Sequence, residues 1–324
     1  MAAASTAALA AAVAAAAVKL RGHVTVTPTV PSTWLSAAAG CEVRLKLENV
    51  QRTGSFKVRG ATHSLLCLPA AVRKHGVVAA SSGNHGLGLA AAGQQLGVAV
   101  TVFVPETTPP AKRAAIAAQG AEVRVHGDDC VVTEQFAREF AASRGQAYVS
   151  PYNDLDVVAG QGTVGVELLA DWPEVDTVYV ALGGGGLVSG LAAYAKMHRP
   201  GLDVVACSPV ASPAMAECVR AGAIIDVPCG TTWSDSTAGG VEPGAITFPW
   251  VRELVDRYVD VDEAAIEAAL LAMLTQQHLL VEGAAAVAVA ALLADRKRRG
   301  QRAAVIVCGG NLPLDLLRRL LARN

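Results

Sequence analysis

The sequence predicts an α/β protein with two doubly wound parallel-sheet domains, each with helices on both faces of its sheet in a three-layer αβα arrangement. Short β-branched runs alternate with longer helical segments along the whole chain, and glycine or proline ends many of them. Alternation of this kind is typical of parallel sheets with right-handed crossovers. The 324 residues, 52% of them hydrophobic, are enough for about two domains.

Strands are predicted from β-branched apolar runs bounded by turn residues, and helices from longer periodic runs that often stop at glycine. In the first half of the chain, strands are predicted at 43–47, 77–80, 98–104 and 121–125, and helices at 87–96, 111–119 and 128–143. In the second half, strands are predicted at 177–182, 203–208, 259–261 and 303–308, and helices at 162–171, 189–198, 214–221, 246–258, 262–278, 282–295 and 312–322. We expect residues 1–48 and 151–324 to form a larger domain and residues 49–150 a smaller one.

Two further segments carry local signals. Asp262 has the residue type and position of a helix N-cap. The stretch 229–244 is rich in Gly, Ser, Thr and Pro, which predicts an irregular loop that faces the functional site.

Composition excludes several classes of partner. The net charge of −1 creates no strong field for nucleic acid or anionic lipid, and 4% aromatic residues leave few stacking platforms for single strands. Seven scattered cysteines without a CxxC pair indicate a reducing compartment, so we expect a cytoplasmic protein.

The alanine-rich start, residues 1–18, is interpreted as a frayed lead-in helix. A secretory signal would carry basic residues before its apolar run, whereas Lys19 and Arg21 follow it. The apolar run 284–294 is too short to span a bilayer, and we expect no membrane segment.

Lys57 is the first candidate for chemistry. A lone lysine is usually a solvated surface residue, but Gly54 and Ser55 before it suggest the start of a helix. In a first helical turn the helix dipole disfavours the ammonium, which helps to keep the amine neutral and nucleophilic.

Two loops offer backbone N–H groups. Four glycines at 183–186 follow a predicted strand and precede a predicted helix, where amides can approach a phosphate closely. The alternative is a flexible turn. Residues 81–86, Ser-Ser-Gly-Asn-His-Gly, occupy a similar position and could hold a carboxylate. The alternative there is an ordinary capped helix start, and we assign His85 no proton transfer.

Cys308 ends the last predicted strand. Free cysteines are most often buried and inert. Beside a pyridine nitrogen, however, a neutral thiol would leave that nitrogen less protonated than a carboxylate would, which favours early loss of a β-leaving group. An amine, a nest of amides and a phosphate cradle together predict pyridoxal 5′-phosphate (PLP) chemistry on an amino acid.

Five motifs, in order along the chain, resemble the threonine/serine dehydratase family of fold-type II, tryptophan-synthase-β-like PLP enzymes. They are Ser-x-Lys-x-Arg-Gly-Ala at 55–61, Ser-Ser-Gly-Asn-His-Gly at 81–86, Ala-Gly-Gln-Gly-Thr at 159–163, the four glycines, and Cys-Gly-Gly-Asn at 308–311. The resemblance implies that PLP lies in the cleft between the two domains, with Lys57 as its Schiff-base lysine and Ser82 in a secondary catalytic role. It implies further cofactor contacts from Phe56, Asn84, Gly183, Gly184, Gly185, Gly186, Leu187, Glu282 and Cys308. It implies substrate contacts from Ser81, Ser82, Gly83, Asn84, His85 and Asn153.

Two positions depart from the family pattern. Racemase-like members carry an acidic pair for a divalent cation where this chain has Ser208 and Ala214, so we assign no metal site there. Many relatives have Asp-Gly where this chain has Gly239 and Gly240, which puts racemisation and plain threonine specificity in doubt.

The resemblance implies an ammonia-lyase that removes water from a β-hydroxy amino acid of the L-threonine or L-serine type and yields a 2-keto acid and ammonia. Three alternatives stay open. They are a hydroxyectoine-derived or 3-hydroxyaspartate-type substrate, another fold-type II activity such as serine racemisation or β-replacement, and a non-catalytic PLP-binding relative. We expect a homodimer or homotetramer.

Overall fold

Two separate β-sheets organise the chain in the computed structural model, which describes residues 5–322. The strands are β1 (Thr29–Pro31), β2 (Glu42–Leu47), β3 (Val77–Ala80), β4 (Val100–Val104), β5 (Glu122–Val125), β6 (Ala147–Tyr148), β7 (Thr177–Ala181), β8 (Asp203–Pro209), β9 (Arg257–Val261) and β10 (Arg302–Val307). The helices are α1 (Thr6–Lys19), α2 (Thr33–Ala39), α3 (Lys57–Cys67), α4 (Ala70–Arg73), α5 (Asn84–Leu96), α6 (Pro110–Ala118), α7 (Cys130–Ser143), α8 (Leu155–Asp171), α9 (Gly186–His198), α10 (Ala214–Ala221), α11 (Thr247–Leu254), α12 (Glu263–Thr275), α13 (Gly283–Ala294) and α14 (Leu314–Ala322). Short 3₁₀ turns cover Glu48–Val50 and Asp235–Thr237.

The strand order explains the two-sheet plan. The larger sheet runs β1-β2-β10-β7-β8-β9, and every pair in it is parallel except the antiparallel edge pair of β1 with β2. The smaller sheet runs β5-β4-β3-β6 and is parallel throughout. The α/β class is therefore confirmed. The domain boundaries at residues 49 and 151 stay a prediction.

Helix α13 packs on the larger sheet against β7, β8, β9 and β10. Its residues from Gly283 to Leu292 are all buried, because a helix that is apolar on every side belongs in a core. The small alanine side chains let it lie close to the sheet and bring its first turn to the edge where β7 and β10 end.

Three sequence predictions were wrong in part. The helix predicted over 162–171 begins seven residues earlier, because α8 starts at Leu155 after the N-cap Asp154. The segment 246–258 is not one helix, because α11 ends at Leu254 and the chain then pairs with β8 as the edge strand β9. The lead-in helix is not frayed over its described length, since Leu9, Val13 and Ala16 are fully buried. Helix α1 packs against α8 and α9, and residues 1–4 lie outside the described part of the chain.

Other boundaries agree closely. Strand β3 and helix α10 match their predicted limits, and Asp262 caps α12 by accepting from the backbone N–H of Ala265 at 2.8 Å. The stretch 229–244 is irregular apart from its 3₁₀ turn, as predicted. Strands β1 and β6 and helices α2 and α4 were not predicted from the sequence, because they are too short to carry a periodic signal.

Candidate functional site

A cleft of about 520 Å³ opens where β7 and β10 end and where α3, α9 and α13 begin. It therefore lies at the carboxyl edge of the larger sheet, the usual place for ligands in open α/β sheets. Its lining comprises Phe56, Lys57, Asn84, Tyr152, Ala181, Gly183, Gly184, Gly185, Gly186, Leu187, Ser236, Thr237, Glu282, Ala284 and Cys308. Every residue that the sequence predicted to contact the cofactor lines this one cleft.

Lys57 is the first residue of α3, as the sequence predicted. The N–H of Phe56 donates to the carbonyl of Cys308 at 3.0 Å, which ties the start of α3 to the end of β10. The Nζ of Lys57 donates to the carbonyl of Pro151 at 3.0 Å. Burial lowers the pKa of Lys57 to about 8, against a smaller opposing effect of the Glu282 carboxylate. Burial is thus the main reason why the amine has an appreciable neutral fraction near neutral pH.

The glycine turn is shaped by what surrounds it. A Cβ on Gly184 would lie 2.4 Å from the ring of Tyr152, and one on Gly185 would lie 2.7 Å from Val251. Gly185 also has a φ of +84°, which only glycine adopts without strain. The carbonyl of Gly184 accepts from the Oγ1 of Thr247 at 2.7 Å. The turn is therefore held in place, and it lines the cleft together with the first residues of α9.

Asn84 and Glu282 form a buried polar pair on one wall. The Nδ2 of Asn84 donates to both carboxylate oxygens of Glu282, at 2.9 and 2.8 Å, and its Oδ1 accepts from Asn311 at 2.7 Å. The Oγ of Ser236 also donates to Glu282, at 3.1 Å. Burial raises the pKa of Glu282, and these hydrogen bonds only partly oppose that effect. A Cβ on Gly309 would lie 2.6 Å from this carboxyl, so glycine is needed there.

Cys308 is 2% exposed, directly after β10. Burial raises the pKa of its thiol well above the ordinary value, and the charge of Glu282 adds to that effect. The thiol therefore stays protonated and neutral, which is the state that we considered for Cys308 beside a pyridine nitrogen.

The segment 81–86 follows β3 and leads into α5, whose N-cap is Gly83. Ser81, Ser82 and Gly83 are half-buried, and the N–H of Gly83 donates to the Oγ of Ser81 at 3.3 Å. The buried ring of His85 contacts the carbonyl of Val149 at 2.9 Å through Nε2. Burial, followed by the nearby Lys57, lowers the pKa of His85 to about 3, so the ring is neutral. The role of this segment in binding a carboxylate stays a prediction.

Asn153 does not line the cleft. Its Oδ1 accepts from the N–H of Ile246 at 2.8 Å, which fastens the segment before α8 to the start of α11. Its predicted contact with substrate stays untested. The neighbouring Tyr152 lines the cleft instead, and its Oη accepts from the N–H of Glu242 at 3.0 Å.

Five cleft residues were not predicted from the sequence: the small apolar Ala181 and Ala284, and the polar Tyr152, Ser236 and Thr237. Tyr152 precedes Asn153 directly, so only proximity pointed to it. Ser236 and Thr237 belong to the loop 229–244, which was expected to face the site, although neither of these two residues was singled out there. Ser208, one of the two positions at which the sequence led us to assign no metal site, is buried on β8.

These features together define an enzyme site for an amine-reactive, phosphorylated cofactor on a fold-type II scaffold. A model of the family described as pyridoxal-phosphate dependent enzyme matches residues 20–309. The chain therefore belongs to the pyridoxal-phosphate dependent enzyme family.

Known proteins give the same result. The chain is 38% identical to the L-threonine ammonia-lyase of Thermotoga maritima over 293 residues, which cover 90% of this chain and 73% of that protein. It is 37% identical to the catabolic L-threonine dehydratase TdcB of Escherichia coli strain K12 over 300 residues, which cover 92% and 91% of the two chains. Maize serine racemase superposes with a TM-score of 0.91 at 31% identity, covering 96% of each chain. The resemblance to the dehydratase family is confirmed.

PLP is the cofactor of this family, and the residues present fit it. Gly184 and Gly185 leave no space for a side chain, so the part of the turn that lines the cleft is backbone, which suits a phosphate. A buried lysine of lowered pKa is available for its aldehyde, and a neutral thiol for its ring nitrogen. Within residues 5–322, none of the helices combines the length and the apolar character needed to cross a bilayer.

Proposed function

We propose that this protein is an ammonia-lyase that removes water from a β-hydroxy amino acid of the L-threonine or L-serine type and releases a 2-keto acid and ammonia. One observation carries the proposal. The Nζ of Lys57, with a pKa of about 8, lines the same cleft as the glycine turn and the neutral Cys308. The names of the two curated relatives, a threonine ammonia-lyase and a threonine dehydratase, support the same reaction class.

Lys57 is the proposed catalytic base. When bound, PLP supplies an aldehyde for amines and an electron-withdrawing ring that acidifies the substrate Cα–H. The neutral Nζ of Lys57 would be the group that accepts the α-proton of the substrate. The lowered pKa matters because an amine with the ordinary pKa of 10.5 would be almost entirely protonated at neutral pH.

The glycine turn and Cys308 are proposed to hold the two ends of the cofactor. The amides of residues 183–186 would bind its phosphate, and the helix start at α9 favours that negative charge. Cys308 would face the ring nitrogen as a neutral thiol and leave it largely unprotonated. A ring nitrogen held in this way would make the ring a weaker electron sink, which would favour loss of the β-hydroxyl.

The segment 81–86 is proposed to bind the substrate carboxylate. The amides at the start of α5 and the hydroxyls of Ser81 and Ser82 supply donors of the required type. Ser82 is proposed in a secondary role on the face opposite Lys57. The 31% identity to maize serine racemase keeps racemisation as a second candidate activity.

Finer features are also proposed. All seven cysteines are free thiols, which supports a reducing, cytoplasmic setting. A homodimer or homotetramer is proposed because apolar side chains are exposed, among them Leu314 and Leu321 on α14.

We propose the domain boundaries near residues 49 and 151, because all strands of the smaller sheet come from the segment between them.

A substrate panel tests the function. The purified, PLP-loaded enzyme is assayed for keto acid and ammonia with L-serine, L-threonine, both 3-hydroxyaspartates and hydroxyectoine-derived amino acids, and the residual substrate is analysed for inversion. We expect stoichiometric keto acid and ammonia from at least one substrate, with no added nucleophile. Racemised substrate without keto acid would instead establish the second candidate. A PLP-bound protein that turns over none of them would overturn the enzyme assignment, as would full activity of Lys57→Ala.

A further inference from the structure

Helix α3 carries a second group of reactive side chains at the end opposite Lys57. His63 and Cys67 are four residues apart, so they share one face of the helix. That face packs against α8, which contributes Asp156, and ligand atoms of the three side chains lie within 4.8 Å of one another. Cys67 is ten positions after Lys57, or about 15 Å along the helix, and none of the three residues lines the cleft, so this cluster is distinct from it.

His63 already has the orientation of a metal-binding histidine. Its Nδ1 lies 2.7 Å from the backbone carbonyl of Asp156, which can only accept, so Nδ1 carries the proton. The Nε2 atom is left with a lone pair, and it lies 3.4 Å from the Sγ of Cys67. Histidine ligands typically donate their other N–H to a carbonyl or carboxylate in this way, which fixes the ring. The hydrogen bond at Nδ1 thus leaves the Nε2 lone pair directed at the other side chains of the cluster, as a ligand requires.

A lysine side chain already contacts this cluster. The Nζ of Lys19 lies 3.2 Å from the Sγ of Cys67, at the end of α1. Burial raises the pKa of the Cys67 thiol, and Lys19 opposes that effect. Because Lys19 is exposed, its side chain is able to leave this position when a stronger cation arrives.

We propose that the Nε2 of His63, the Sγ of Cys67 and the carboxylate of Asp156 bind one divalent, thiophilic cation of the zinc class. Thiolate and imidazole ligands select such ions over magnesium and calcium. Zinc bonds of about 2.0–2.3 Å require the donors to move closer together, and the side chains of Cys67 and Asp156, which are only half-buried, would make that adjustment. Binding releases the thiol proton to solvent, displaces Lys19 and leaves a fourth position for water. The ion would tie α3, which begins at Lys57, to α8, and its role would be structural.

Cobalt substitution tests the site without reference to activity. The PLP-loaded enzyme is stripped with a chelator, dialysed and titrated with Co²⁺, whose thiolate complexes give a charge-transfer absorption band. We expect one equivalent to bind with this band and Zn²⁺ to displace it. Thermal melting should move upward with Zn²⁺, because the ion binds the folded state.

Variants identify the ligands. Cys67→Ser should remove the charge-transfer band and weaken binding by about 100-fold or more, and His63→Gln should weaken it by at least 10-fold. Lys19→Met removes the competing cation and should strengthen binding while leaving the fold intact, since Lys19 is exposed. Cys130→Ser and Cys229→Ser, which change exposed thiols elsewhere, are the matched controls and should leave the titration unchanged. A band that survives Cys67→Ser, or that disappears in either control, overturns the proposal, as does the absence of any stoichiometric binding.

Discussion

The side-chain amide of Asn84 donates to both carboxylate oxygens of Glu282, at 2.9 and 2.8 Å. Asn84 begins α5 beside the smaller sheet, and Glu282 precedes α13 on the larger one, so this contact joins the two halves of the cleft. Glu282 is also the nearby negative charge that raises the pKa of Lys57 against the effect of burial. The carboxylate therefore has a positioning role and an electrostatic role at once.

The first prediction concerns how PLP binds to the apoenzyme. Because only the neutral amine reacts with an aldehyde, the rate of cofactor loading should rise with pH through the Lys57 pKa of about 8, not through 10.5. Glu282→Gln removes the charge that raises this pKa, so the midpoint should move to lower pH. Absorbance of the bound cofactor, followed by stopped flow between pH 6 and 10, measures both midpoints. A variant midpoint that is unchanged or higher would contradict the electrostatic role of Glu282.

The second prediction concerns the glycine turn. Gly184→Ala places a Cβ 2.4 Å from the ring of Tyr152, which must shift and disturb the amides next to it. We expect the PLP dissociation constant to rise at least 10-fold, or about 1.4 kcal/mol. Gly201→Ala is the matched control, because its Cβ would meet nothing within 4 Å. Equal PLP affinity in the two variants, measured by equilibrium dialysis, would argue against a phosphate site at this turn.

How far the sequence predicts this site depends on where each residue's partners come from. Local motifs at the ends of strands or the starts of helices contain Lys57, Asn84, Cys308 and the four glycines. The topology alone therefore brings these residues to the cleft. Thr237 and Tyr152 reach the cleft only through long-range packing against the glycine turn, for which the sequence has no local signal. The first residues of strand β9 were predicted as helix. They form a strand because their pairing with β8 outweighs the conformational preference of the isolated segment.

The third prediction concerns acid stability. Burial lowers the pKa of His85 to about 3, whereas the unfolded chain has a histidine pKa of about 6.5. The unfolded state therefore binds more protons between these values, and folding stability falls as pH decreases from about 6.5 towards 3. Each pH unit in that window costs at most about 1.4 kcal/mol from this residue. Urea unfolding from pH 7 to 4 should show a shallower loss in His85→Gln, and parallel pH curves for the two proteins would contradict the assignment.

The fourth prediction concerns a buried ion network two residues beyond Lys57. The side chains of Arg59 and Glu48 are both fully buried. The guanidinium of Arg59 lies 2.7 Å from the carboxylate of Glu48 and 2.6 Å from that of Glu167. Its charge is compensated on both sides, and these hydrogen bonds fix the turn of α3 that follows Lys57. Arg59→Met would leave the carboxylate of Glu48 buried without its cation, a change that costs about 3–5 kcal/mol in comparable sites.

Denaturant unfolding of the apoenzyme measures this effect, with Arg124→Met as the matched control. Arg124 pairs with Glu122 at the surface, where both side chains are substantially exposed, so its loss should change the free energy of unfolding by less than about 1 kcal/mol. The double variant Arg59→Met with Glu48→Gln should recover part of the lost stability, because the uncompensated charge is then gone. If Arg59→Met cost no more than the surface control, the network would not be what anchors the helix that carries Lys57.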